Sequence, residues 1–185
     1  MRAALIALVV LLLPAALSAG TMGLYFTYTP VQMTYSPGPY EEFTAYVYLH
    51  NMECYVDAAE FKLNLPAGIS MSTFELPEGS LNLGDPIVGL SATYWPPLNG
   101  FYPGYDLLCT VYLYASRWCT GTSTHYLAPN SVAAIVPEPE AGRLAVTCWP
   151  DNNIVDVTGL ISYFCPEQIG TQDKSWGAIK SLYDK

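Results

Sequence analysis

Apolar and polar side chains alternate with a period of two through most of the chain, the mark of strands with one face buried. In "EFTAYVYL", Phe43, Ala45, Val47 and Leu49 share one face, and Thr44, Tyr46 and Tyr48 the other. In "VDAAEFKLNL", Ala59, Phe61, Leu63 and Leu65 alternate with Glu60, Lys62 and Asn64. In "YDLLCTVYLYA", Cys109, Val111, Leu113 and Ala115 oppose Leu108, Thr110, Tyr112 and Tyr114. "RLAVTCW" groups Leu144, Val146 and Cys148, and "IVDVTGLISYFC" aligns Val155, Val157, Ile161, Tyr163 and Cys165. With "GLYFTY" and "IVGLSATYW" the pattern predicts about nine short strands.

Turn residues separate these runs: Pro37-Gly38-Pro39, Pro66-Ala67-Gly68, Pro77-Glu78-Gly79, Asn99-Gly100, Pro103-Gly104 and Pro150-Asp151-Asn152-Asn153. Prolines at this spacing exclude long helices. The expected fold is all-β, an antiparallel β-sandwich of jelly-roll or immunoglobulin-like character. An outer-membrane barrel would share the alternation, but prolines within the pattern, five cysteines and a non-strand end weigh against it.

The ends read differently. Residues 1–20 carry Arg2, then an apolar run, Pro14 and small residues at Ser18, Ala19 and Gly20, as a secretory leader does. The run is short for a membrane span. The sandwich is expected over residues 21–165, followed at 166–185 by a linker and a short amphipathic tail. In that tail Trp176, Ile179 and Leu182, with Tyr183 alongside, form one helical stripe. So short a helix is unstable alone and must dock, on its own domain or on a neighbouring copy.

Sixteen acidic against seven basic side chains give a net charge of −9. That balance disfavours nucleic acid and anionic membranes as partners. Only 12% of residues are charged while 15 are Tyr, so the surface should be aromatic and hydroxyl-rich. Cys54, Cys109, Cys119, Cys148 and Cys165 in an exported chain read as two disulfides and one buried thiol. Cys109 and Cys148 both lie on predicted core faces, which suits a bridge between sheets. No CxxC spacing suggests zinc or thiol redox chemistry.

No catalytic constellation emerges. His50 and His125 are the only histidines, no GxSxG surrounds any serine, and both read as turn or loop residues. Asp151, Asn152, Asn153 and Asp156 offer oxygen ligands of the kind Ca²⁺ takes, but without the EF-hand glycine and distal glutamate they read as a hairpin turn. No metal and no cofactor is expected. The most unusual composition is "YWPPLNGFYPGY", a proline-stiffened loop carrying Tyr94, Trp95, Phe101, Tyr102 and Tyr105. Such rings can cap a core or meet a sugar or a protein.

"GLYFTY", "FTAYVYLHN", "DAAEFKLNLPAGI" and the closing "SWGAIKSLY" together resemble secreted bacterial proteins of the cohesin-like kind. The resemblance implies a nine-stranded jelly roll and a non-catalytic binding module. Cohesins bind dockerin modules across a sheet face, though no dockerin-contacting residue is matched here. The expectation is therefore a secreted module, not an enzyme, that binds a protein or glycan through the aromatic loop. The alternatives are an assembly subunit self-associating through its tail and, further off, a small carbohydrate-active enzyme.

Overall fold

The computed structural model describes residues 20–100, 104–119, 125–139 and 142–166. Among them there are thirteen strands and no helix: β1 (Thr21–Tyr25), β2 (Thr34–Tyr35), β3 (Glu42–His50), β4 (Tyr55–Asn64), β5 (Ile69–Glu75), β6 (Leu81–Asp85), β7 (Gly89–Leu98), β8 (Tyr105–Ala115), β9 (Ser131–Val136), β10 (Ala145–Trp149), β11 (Asn153–Asp156), β12 (Thr158–Gly159) and β13 (Ile161–Phe164). The all-β expectation holds, with more and shorter strands than the pattern implied. The leader and the tail, with Trp176, Ile179, Leu182 and Tyr183, lie outside the described residues.

Two sheets face each other. One has the order β12-β1-β3-β8-β5; the other runs β11-β10-β4-β9-β13-β2, with β7 also paired to β4 and β6 to β7. The alternating residues fill the space between. Ala45, Val47, Leu49, Val111 and Leu113 come from the five-stranded sheet and Ala59, Phe61, Leu63, Leu90 and Val146 from the other, all essentially inaccessible. Burying a side chain of the Val, Leu or Phe type contributes about 1.5–3 kcal/mol, so this double layer dominates stability.

The pattern misplaces two stretches. In β8 an extra residue shifts the register between the rungs Val47–Cys109 and Tyr48–Leu107, so Leu108 is buried beside Cys109 instead of opposing it. After Val157 the parity reverses: Ser162 and Phe164 are fully buried, while Ile161 and Tyr163 are exposed. The reason is a change of sheet. β11 pairs with β10, β12 crosses to β1, and β13 returns to β9, so no single period spans the run.

The disulfides join Cys54 to Cys148 and Cys119 to Cys165. The suggested Cys109–Cys148 bridge is thus corrected. Cys148 on β10 is tied to Cys54, the residue just before β4, and Cys109 is the free, fully buried thiol, its pKa pushed far up by burial.

Candidate functional site

On the outer face of the larger sheet, register alone places five side chains in one row. Leu81 pairs with Thr93, Thr93 with Ala58, Ala58 with Thr147 and Thr147 with Ile154. The next row runs Leu83, Ser91, Glu60, Ala145 and Asp156. Apart from Glu60, small residues form a low floor across β7, β4 and β10, Arg143 borders it beside Ile154, and exposed apolar groups stand at Leu81 and Leu83 on β6 and at Ile154 on β11. Leu81 is 59%, Leu83 62% and Ile154 52% exposed. The result is a shallow trough with apolar rims.

Aromatic groups close one end of the trough. Between the rungs Val56–Leu98 and Ala58–Thr93, strand β7 carries residues 94–97 opposite Asp57 alone. Pro96 and Pro97 have no N–H to give a ladder, so the chain bulges there and Trp95 turns outward, 71% exposed. Gly79 allows this approach, because a Cβ on it would lie 2.0 Å from the Trp95 carbonyl oxygen. On the neighbouring strands Tyr55 pairs with Trp149, ring centroids 6.3 Å apart and planes at 78°. Tyr55, Trp95, Pro96, Pro97 and Trp149 together line a cleft of about 250 Å³.

Of the five loop aromatics singled out in the sequence, the three that are described lie apart. Trp95 is at the surface. Tyr94 is buried in the core, and its hydroxyl donates to the Leu108 carbonyl at 3.3 Å. Burial raises its pKa well above the ordinary value, and Cys109 adds to the effect. Tyr105 opens β8 in the other sheet, against His50 at 5.0 Å and Tyr25 and Tyr48 each at 6.4 Å. Phe101 and Tyr102 lie outside the described residues. Tyr55 and Trp149 complete the cleft instead; the one signal for Trp149 in the chain is a second Trp-Pro pair at a strand end.

The histidines and the acidic turn do not assemble a reaction centre. His50 Nε2 sits 2.6 Å from the Thr21 hydroxyl and 3.4 Å from that of Tyr25, and burial lowers its pKa while its hydrogen bond with Asn51 opposes that shift. His125 stacks on Trp118 with centroids 5.5 Å apart. Asp151 and Asn152 lie in the β10–β11 hairpin turn, whereas Asp156 pairs with Ala145, three rungs beyond the Cys148–Asn153 pair. Among the described residues no three His, Cys, Asp or Glu side chains gather as a metal site would need. No described helix is long and apolar enough to cross a membrane.

The two facing sheets are similar in fold to the jelly roll of solved cohesin domains. No protein-family model matches the chain, and no curated protein does. Solved structures do match. A non-cellulosomal cohesin from the hyperthermophilic archaeon Archaeoglobus fulgidus superposes with a TM-score of 0.52 at 11% identity, over 81% of this chain and 94% of that one. The third ScaB cohesin of R. flavefaciens, solved with a group 1 dockerin, gives 0.51 at 13% identity over 82% and 96%. The sixth cohesin of Acetivibrio cellulolyticus scaffoldin B, solved with a mutant Cel5 dockerin, gives 0.50 at 10% over 80% and 99%. At such identities the likeness is one of fold.

Proposed function

We propose that this chain is an exported, non-catalytic module that binds a folded protein across the outer face of the larger sheet. The observation that carries the reading is the trough, where exposed Leu81, Leu83 and Ile154 bracket a floor of Ala58, Thr93 and Thr147. Exposed apolar groups beside a low floor form a surface that a partner can cover, and small floor residues let a partner's helix or strand approach closely. The fold likeness agrees in kind, since two of the solved cohesins hold dockerins. The two disulfides support export.

The test is calorimetric titration of the mature chain against a panel of dockerin modules. One or more should bind, and Leu83→Asp should weaken that binding at least about tenfold, because a charge would be buried against an apolar contact. Tyr112→Ala, on the opposite sheet, should leave it unchanged. Equal loss with Tyr112→Ala would put the interface on the wrong face. Turnover of a polysaccharide by the purified chain would overturn the non-catalytic reading.

A further inference from the structure

The aromatic cleft has a shape and chemistry that the protein-binding reading does not use. The geometry points to a binding site for a small organic cation of the quaternary ammonium class, held between Trp95, Trp149 and Tyr55 independently of any protein partner.

Three features select this ligand. The first is the lining, which consists of two indoles, a phenol and two prolines, with no amide or carboxylate side chain. A sugar placed there would find only the two indole N–H groups and the Tyr55 hydroxyl among the lining side chains to replace the water at its many hydroxyls, which costs free energy. A quaternary ammonium has no N–H to satisfy and is attracted by ring faces through their quadrupoles. The second is the angle. Tyr55 and Trp149 stand at 78° to each other, a corner and not a floor, with Trp95 and the prolines on the remaining side. A compact tetrahedral head fits a corner, whereas a pyranose needs a flat platform.

The third is charge. Exposed Glu53 precedes Tyr55 by two residues, exposed Asp151 follows Trp149 by two, and Glu78 adjoins Gly79, which lies against the Trp95 carbonyl. Asp57, two residues beyond Tyr55, keeps Oδ1 buried and without a hydrogen-bond partner among the described residues. The cationic side chains among the described residues are Lys62, Arg117 and Arg143. Lys62 is seven positions along β4 from Tyr55, about 20 Å away, and Arg143, just before β10, borders a separate hollow with Glu60, Thr147 and Ile154. Arg117 packs against Gly68 near the start of β5. Acidic residues thus flank the ring-bearing positions in sequence, and among the described residues no cationic side chain lines the cleft.

The experiment is a fluorescence and calorimetric titration of the mature chain with choline, and with 3,3-dimethylbutan-1-ol, the same shape without charge. Cellobiose and phosphatidylcholine vesicles serve as further arms. Choline is expected to saturate, and the neutral isostere to bind at least about tenfold more weakly. Trp95→Ala should abolish the signal and Trp95→Phe should retain part of it, while the melting temperature stays unchanged. Equal affinity for choline and its isostere would reduce the cleft to a plain apolar contact and overturn the inference. Binding of cellobiose alone, of vesicles without free choline, or of nothing by the folded chain would overturn it as well. None of these results depends on whether a dockerin binds the trough.

Discussion

Ser162 and Tyr94 put hydroxyls into an otherwise apolar interior, and each is satisfied by a carbonyl of the opposite sheet, Leu24 at 2.5 Å and Leu108 at 3.3 Å. They act as polar rivets between the layers. Ser162→Ala removes the donor and leaves the Leu24 carbonyl without it, so urea unfolding should show a loss of about 1–2 kcal/mol. Asp106 is the opposite case. The β8 bulge sets it opposite inward-facing Leu49, with Oδ2 buried and without a hydrogen-bond partner among the described residues. Burial raises its pKa, and the backbone hydrogen bond from Asn99 pulls the other way. A carboxyl whose pKa is higher folded than unfolded holds its proton more tightly in the native state. Its contribution is therefore most favourable below the unfolded value, about 3.9, and is lost as pH rises through the raised native value. Asp106→Asn should flatten that part of the stability-against-pH curve and raise stability at neutral pH. A curve identical to that of the parent chain would show the carboxyl to be solvated.

At the scale of elements, the segment from β11 to β13 changes sheet twice within twelve residues, and Gly159 makes the crossing possible. A Cβ on it would lie 2.1 Å from the Ile135 carbonyl oxygen, so β12 and β9 could not approach as they do. Gly159→Ala is expected to cost about 1–3 kcal/mol, as overpacking does, measurable as a lowered urea midpoint. This segment also shows what the sequence could convey. Where a strand stays in one sheet, as β3 and most of β4 do, alternation names the core correctly: Phe43, Ala45, Val47 and Leu49, then Ala59, Phe61 and Leu63. Where the chain crosses between sheets or inserts a residue, parity is lost, and Ile161, Tyr163 and Leu108 are misread. The trough and the cleft are assembled from five strands far apart in sequence. Trp95 was conspicuous in its proline-rich run, but Tyr55, Trp149, Leu83 and Ile154 gain meaning only from the ladder that sets them side by side.

At the scale of the molecule, two crosslinks close loops between residues 94 and 46 positions apart in sequence. Replacing either pair with serine should cost about 2–4 kcal/mol by freeing the unfolded chain. Cys109, with its thiol fully buried and its pKa raised, should stay unreactive towards a thiol reagent in the native protein and react once in denaturant. A native protein that reacts at once would mean the pairing is otherwise. The strand order has a mechanical consequence too. β1 and β2, early in the described chain, lie parallel to β12 and β13 near its end, and Cys165 next to β13 is tied to Cys119. Tension between Gly20 and Pro166 would load those parallel ladders in shear, all their hydrogen bonds at once, instead of unzipping them one by one. A domain so threaded should resist tension between its ends better than one whose end strands could be unzipped.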